Sequence, residues 1–344
     1  MDKNLIDLLC CPKSGSDLDL VIEEGDLNHI KKGKFLSIQS GMQYEIIDDI
    51  PYFSSDIDHQ GIKNQFETYS HWFEEMHDEA SIIDPNHAIA FSNSLNIDKS
   101  EFKDKVILDA GCGNGRLSYV VSEYEPKLLV SFDISKGLFK AKETILKHNQ
   151  ESNIAFVQGD VTNPPFKKAS FDIAYSWGVT HHTPDTRKTF KTLSDLVKDS
   201  GIFGVYVYVF NPSYKYDKQV LGLLAYLRSF LLIRPFRFIC SRLPVSLVKL
   251  IFQPIYYLEK LIGFGVFGNH GYPSDPFNKD RYFRVVVDRF KTRYASEHKE
   301  EEIFNWFFEH GYNDLRVGKP MVSVSGEKKG SDKKRNVSFY SQRD

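Results

Sequence analysis

Residues 105–115, KVILDAGCGNG, constrain this chain more than any other stretch. Val106, Ile107 and Leu108 make a short apolar run that ends at Asp109. Gly111, Gly113 and Gly115 then alternate before a helical pattern at Leu117, Val120 and Val121. The order predicts a buried strand, a glycine turn and a helix start. Glycine at alternate positions strips Cβ from one side of the turn, so a ligand can rest on backbone N–H groups beside the positive end of the helix. An adenosine-containing ligand suits that surface.

A dinucleotide fold also opens with glycines after its first strand. Its fingerprint requires a small residue three places after the second glycine, and here that place holds Arg116. The spacing points to another user of a similar sheet. A second strand, Leu128–Phe132, runs into Asp133-Ile134, where a carboxylate would hold ribose hydroxyls. A third, Ile154–Val157, runs into Gly159-Asp160-Val161, placed to meet an adenine amino group. A fourth, Phe171–Tyr175, leads to Ser176-Trp177-Gly178, and a fifth spans 202–210.

On these residues, 105–210 resemble a class I S-adenosylmethionine-dependent methyltransferase. The resemblance rests on Asp109, the three glycines, Asp133, Asp160 and Phe171-Asp172, four matches in order at βα spacing. It implies an α/β fold: a Rossmann-like seven-stranded sheet with helices on both faces. A small β-rich module would precede it, and a mainly helical insertion would follow strand 5. It also implies S-adenosyl-L-methionine as cofactor, held by Asp109, Gly111, Cys112, Gly113, Asn114, Gly115, Asp133, Ile134, Asp160, Val161, Ser176 and Trp177.

The chain divides by composition into a module at 1–55, a linker with lid helices at 56–104, a cofactor core at 105–210, an insertion at 211–297 and a closing unit at 298–344. The 344 residues suffice for a sizeable core. A formal net charge of -2 gives no global field for nucleic acid or anionic membrane, so any such attraction must be local. The four cysteines outline no disulfide framework, and the N-terminus is too short in apolar length for a signal peptide. A cytoplasmic location follows as the expectation, with membrane-peripheral contact as its variant.

Residues 1–55 resemble the small zinc-ribbon family that includes activators of tRNA and protein methyltransferases. The family ending Tyr-x-Ile-x-x-x-Ile-Pro stands here as Tyr44, Ile46, Ile50 and Pro51. The cysteine pairs do not: Cys11 and Ser14 hold one knuckle, Ser37 and Ser40 the other. Serine is neither thiolate nor imidazole, and Cys10 and His29 are too few to rebuild four ligands, so no metal is expected. A core of Leu8, Leu20, Ile38 and Ile50, or docking on the larger domain, must serve instead, and docking is the stronger expectation.

Apolar residues at 66, 69, 72, 73 and 76 predict a helix before the first strand, either a lid over the cofactor or a packing helix. Exposure of Tyr69 and His71 discriminates the two. The loop Gly178-Val-Thr-His-His-Thr-Pro-Asp185 lies at the carboxyl edge of the sheet, which makes His181, and less so His182, a candidate for acceptor chemistry. Thr183 before Pro184 reads as the cap of a helix running to Val197.

Within 211–262 eight Lys or Arg face two acids among apolar clusters, and no uncharged run reaches the length of a membrane span. Residues 213–267 read first as a helical cap over an acceptor pocket, then as a basic membrane-surface patch, then as a homodimer interface. The segment from Asp275 onward resembles an ending found in methyltransferases of natural products, lipids or sugars. Asp288, Arg293, Tyr294 and His298 match it, and Tyr294 and His298 join His181 as candidate catalytic residues. A charged connector is the plainer reading of the same residues. The expected activity is methyl transfer to N, O, C or S of a small-molecule acceptor. The alternatives are a silent scaffold with this fold or a tRNA-modifying enzyme, the latter opposed by the lack of a basic, aromatic-interleaved groove outside the insertion.

Overall fold

A computed structural model describes residues 3–27, 29–53, 60–75, 79–208, 231, 234–262, 278–319, 322–329 and 335–339. Two sheets organise them. The smaller is an antiparallel meander of β1 (Asp19–Gly25), β2 (Ile30–Leu36), β3 (Gln43–Ile47) and β4 (Ile50–Pro51). The larger contains β5 (Val106–Ala110), β6 (Leu128–Asp133), β7 (Ile154–Gln158), β8 (Phe171–Trp177), β9 (Val197–Tyr206), β10 (Tyr312–Val317), β11 (Ser323–Lys328) and β12 (Asn336–Phe339). Their spatial order is β12-β10-β11-β9-β8-β5-β6-β7.

From β7 to β9 all pairings are parallel, while β11 runs antiparallel to both β9 and β10. The five parallel strands are near-continuous apolar runs because the sheet is buried on both sides. Along β5, Ile107 enters one core with Leu129, Ile173 and Phe91, and Leu108 enters the other with Val130, Phe203 and Phe307. Strand order reverses about β5, which puts the glycine turn at the crevice where open α/β sheets take ligands. This is the expected Rossmann-like architecture with one addition. Strand β12, where a short apolar run from Val337 interrupts a polar tail, pairs parallel with β10 and makes eight.

Two boundaries differ from the sequence expectation. The helix after the histidine loop is Thr186–Ser194, and its N-cap is Asp185, whose carboxylate accepts from Lys188 N at 2.9 Å. Thr183 instead donates to Thr180 O at 2.6 Å and closes the preceding turn. Val197 starts β9, since pairing with Phe171 offers its β-branched side chain a better setting than a last helical turn.

The N-terminal module is docked, not free-standing. Cys10 N donates to Pro165 O, Lys167 N to Leu8 O, and Phe53 N to Gln158 O on edge strand β7. Leu5, Leu9, Phe35, Tyr44 and Phe53 share one core with Phe132 and Phe166. Ile50 is fully buried and Leu8 and Leu20 partly so, but Ile38 is 85% exposed and contributes nothing to the module's core. Its turn, Ser37–Gly41, is instead held by Ser37.

The described part of the insertion is helical: Arg234–Cys240, Val245–Ile262 and Lys279–Val286, ending in a π-turn at Val287–Lys291. They close on a separate core of Cys240, Val248, Phe252, Tyr256, Tyr282, Phe283, Val286 and Phe290. The rest of the proposed 213–267 cap, residues 213–230, 232–233 and 263–267, lies outside the described residues, as does Met76 of the predicted lid helix. No helix among the described residues is long and apolar enough to cross a membrane.

Candidate functional site

The turn after β5 places Gly111, Gly113 and Gly115 at φ values of +93°, +58° and +84°, a region that penalises any side chain. Asp133, at the end of β6, accepts from Gly113 N at 2.8 Å and from Ser135 N at 2.7 Å. Burial raises its carboxyl, and these hydrogen bonds oppose the rise. Each carboxylate oxygen carries further acceptor capacity, so the bonds that orient Asp133 leave room for hydroxyl donors.

Asp109 has a different part. Ser118 Oγ donates to it at 2.7 Å and Ser131 Oγ continues the chain to Ser118 at 2.8 Å, which ties β5 to β6 and to the helix Arg116–Ser122. Burial pushes its carboxyl up to about 7. Asp160 spends its carboxylate on Thr162 N and Oγ1, at 2.9 and 2.5 Å, shaping the turn that carries the buried Val161. Ile134 O accepts from Gln158 Nε2, Ser176 Oγ donates to Ala110 O, and Trp177 Nε1 donates to Ser94 Oγ under the guanidinium of Arg116. Cys112 is buried and its thiol is pushed well up by burial. Most of these residues thus build the walls, and Asp133 with the glycine turn forms the floor.

The residues fit an adenosine-type sulfonium cofactor. The glycine turn offers the Cβ-free surface, and Asn114 Nδ2 is a buried donor with no hydrogen-bond partner among the described residues. A bound ligand would satisfy such a group.

The helix Gln60–Glu75 covers this floor. A Cβ built at Gly113 would stand 2.4 Å from Phe73 Cζ, and one at Gly137 would stand 2.8 Å from Phe73 Cβ. Ser70 Oγ accepts from Lys136 N at 3.0 Å. One turn before Phe73 the Tyr69 hydroxyl is buried without a partner among the described residues, and burial, then Asp288 and Asp133, raise it well above the usual phenol range. His71 is half-buried. Both residues whose exposure discriminates lid from packing helix are therefore covered, and the helix packs by means of the face that lies over the turn.

The same helix reaches the histidine loop. Gln65 Nε2 donates to His182 O, and the Tyr69 and His182 rings stand 5.7 Å apart. His181 is wholly buried between His182 and Tyr208, at centroid distances of 4.1 and 3.9 Å. Burial, with His182, His298 and Arg237 adding to it, pushes the imidazole of His181 well below the usual range. Tyr208, just past β9, donates to Asp288 Oδ2 at 2.5 Å.

The other candidate residues separate. Tyr294 offers its backbone carbonyl, not its ring, to His182 Nδ1 at 2.9 Å, and Arg293 lies over that ring at 5.8 Å. His298 turns its ring toward Ser296 and Glu302, at 2.8 and 3.1 Å. There it lines a groove of about 540 Å³ with Thr186, Ser296 and Trp306, which includes neither Asp133 nor the glycine turn. Its backbone still belongs to the site: Ser296 N donates to His181 O and His298 N to Tyr208 O. Sequence reading missed Gln65, Thr68 and Tyr208. The aromatic run ending β9 was the one available signal, and it marks a buried strand equally well.

In the module, the four positions of the lost cysteine pattern converge. Ser37 Oγ lies 3.5 Å from Ser14 Oγ and 2.9 Å from Ser40 Oγ, and Cys11 Sγ lies 3.3 Å from Ser40 Oγ and Tyr44 OH. Burial alone would raise the Cys11 thiol, but hydrogen bonds from Ser14, Ser37, Ser40 and Tyr44 outweigh it and hold it at about 6. Among the described residues no group of three or more His, Cys, Asp or Glu side chains is placed to hold a metal.

The sheet order and the glycine turn define the class I S-adenosylmethionine-dependent methyltransferase fold. Residues 101–218 match the family model described as a methyltransferase domain. The chain is 35% identical over 99 residues to the tRNA U34 carboxymethyltransferase of Campylobacter fetus, covering 29% of this chain and 35% of that protein. It is 28% identical over 109 residues to a sterol 24-C-methyltransferase of Schizosaccharomyces pombe, covering 31% of this chain and 29% of that protein. The chain thus spans about a third of the length of these curated relatives. A solved S-adenosyl-L-methionine-dependent methyltransferase structure from Methanococcus maripaludis is 16% identical with a TM-score of 0.37, covering 80% of this chain and 95% of that one.

Proposed function

We propose that the chain transfers a methyl group from S-adenosylmethionine to a small acceptor held between the helix Gln60–Glu75 and the histidine loop. The observation that carries this reading is the single helix face that meets Gly113 through Phe73 and His182 through Gln65 and Tyr69. S-adenosylmethionine supplies an electrophilic methyl on a sulfonium whose departure leaves a neutral sulfide. Asp133 would hold ribose hydroxyls, and the N–H groups of the glycine turn would receive the polar part of the cofactor. The helix excludes water from the reacting centre, and positioning of this kind contributes about 7–11 kcal/mol. Isothermal calorimetry with S-adenosylmethionine is the test, and no binding by the folded chain would remove the reading and leave a silent scaffold.

A tRNA acceptor is the second reading, favoured by the carboxymethyltransferase relative. The small acceptor is favoured by the enclosure of the histidine loop and the net charge of -2. Incorporation of labelled methyl into bulk tRNA, set beside incorporation into a small-molecule extract, separates the two.

The N-terminal module is, in this proposal, a zinc-ribbon relative whose knuckles became a serine cluster, kept in place by docking. The chain is placed in the cytoplasm, in line with four buried free cysteines among the described residues. A peripheral bilayer contact is attached to the outward row Leu250, Leu258 and Leu261, which are 63%, 57% and 85% exposed beside Lys260. Flotation with anionic vesicles tests it.

A further inference from the structure

Five buried polar atoms, on the covering helix and in the histidine loop that this helix contacts through Gln65 and Tyr69, have no hydrogen-bond partner among the described residues: Gln65 Oε1, Thr68 Oγ1, the Tyr69 hydroxyl, and Nδ1 and Nε2 of His181. Each such atom costs on the order of 1–3 kcal/mol if nothing pairs with it. Isolated orphans are ordinary, but a cluster at the carboxyl edge of the sheet asks for a ligand that both donates and accepts. A hydrocarbon acceptor would leave all five unpaired.

Beside these atoms, His182 has a protein group facing each ring nitrogen. Its Nδ1 lies 2.9 Å from Tyr294 O, a pure acceptor, so Nδ1 carries the proton and Nε2 the lone pair. Asp288 Oδ1 stands 3.9 Å from that Nε2, beyond hydrogen-bond range but close enough to favour a positive ring. His181 has neither constraint.

Resting on the methyltransferase reading above, we propose that His182 is the proton acceptor for a hydroxyl-bearing substrate, with the Tyr294 carbonyl and Asp288 as its positioning groups. The hydroxyl proton passes to His182 Nε2 as the oxygen lone pair forms the new O–CH3 bond. The C–S bond of the sulfonium breaks with its electron pair on sulfur, and the products are a methyl ether, a neutral sulfide and an imidazolium facing Asp288. That imidazolium returns its proton to water when the helix opens. Gln65 Oε1, Thr68 Oγ1, the Tyr69 hydroxyl and the nitrogens of His181 pair with the remaining polar groups of the substrate.

The groups facing His182 decide its state before substrate arrives. Burial is the largest influence and lowers its proton affinity, Asp288 and the Tyr294 carbonyl oppose that, and Arg237 of the helix Arg234–Cys240 adds to the lowering. Tyr69 and Tyr208 are held protonated by burial, and His181 is held neutral by it. Burial prevails, so His182 is an unprotonated base at neutral pH. Asp288 therefore acts on the imidazolium formed during transfer.

Histidine-labelled full-length protein gives the test by NMR, alone and with S-adenosylhomocysteine. The expected result is an Nδ1–H tautomer of His182 that titrates below 6.5, and a midpoint lowered by at least about half a pH unit in Asp288→Asn. Catechol at about 10 mM, suited to millimolar affinity, should shift the His182 ring resonances while benzene at the same concentration should not. His182→Asn should retain S-adenosylhomocysteine affinity within about threefold. An Nε2–H tautomer, a midpoint at or above 6.5, insensitivity to Asp288→Asn, or equal shifts with catechol and benzene would overturn the proposal. Read on the chain alone, the tautomer, the midpoint and the catechol shift stand whatever calorimetry says about cofactor binding, so the two readings fail separately.

Discussion

Phe73 lies across Gly113 so closely that a Cβ added at the glycine would come within 2.4 Å of the tip of the ring. The contact joins a residue of the covering helix to the middle glycine of the turn, on the surface that the cofactor needs. In the proposed reading the cofactor rests on that surface, so its binding would displace Phe73.

Phe73→Ala is expected to speed association of S-adenosylhomocysteine by at least about threefold, because lid opening gates entry. Stopped-flow fluorescence reads the rate. An unchanged rate would mean that Phe73 does not gate entry.

Gly113→Ala should be far more damaging than its size suggests. The φ of +58° and the collision with Phe73 act together, and strain in the left-handed region alone costs about 1–2 kcal/mol. Loss of at least tenfold in cofactor affinity, with a lowered Tm, is the expected outcome by calorimetry and thermal melting.

Asp133→Asn keeps the shape of the side chain and one carbonyl for Gly113 N or Ser135 N, yet loses the charge. Charge-assisted hydrogen bonds contribute about 1.5–3 kcal/mol each, so cofactor affinity should fall at least tenfold. Calorimetry showing unchanged affinity would remove Asp133 from the site.

The buried histidines predict a pH dependence of stability. His181 and His182 have folded-state values below the unfolded one near 6.5, so the unfolded chain binds more protons as pH falls below that value. Stability should hold above about pH 6.5 and fall on acidification, by up to about 1.4 kcal/mol per pH unit for each histidine. Urea unfolding between pH 7 and 5.5 should show a smaller slope in His181→Asn than in the parent chain.

Ser14, Ser37 and Ser40 surround Cys11 closely enough for their replacement by cysteine to create four converging thiolates. Ser14→Cys/Ser37→Cys/Ser40→Cys should bind about one equivalent of zinc and raise the Tm, since metal affinity adds to folding. The parent chain should hold well under one equivalent after dialysis. Elemental analysis of both proteins decides it.

The sequence by itself determined the parts whose signals are local. Alternate glycines, apolar runs ending in acids and the Phe171-Asp172 pair each report a strand and its following turn within a few residues, so the order from β5 to β9 was legible. The eighth strand, β12, was visible only as a faint apolar run, because its partner β10 lies some twenty residues away. Local rules also misassigned Thr183. The rule names a cap type, and the three-dimensional turn selected Asp185.

Tertiary structure alone brought together the residues of the proposed reacting centre. Gln65, His182, Tyr208 and Asp288 come from a covering helix, a loop, a strand end and a π-turn in the insertion, spread over more than two hundred residues. No periodicity links residues that meet only after a sheet edge, a covering helix and an insertion have packed. The same holds for the candidate histidines. His181, His182 and His298 read alike in the sequence, but packing gave them different partners: a Tyr294 carbonyl at His182 Nδ1, stacked rings around His181, and Ser296 with Glu302 at His298. Chemistry of that kind depends on which atoms are excluded from water, and exclusion is a property of the packed molecule.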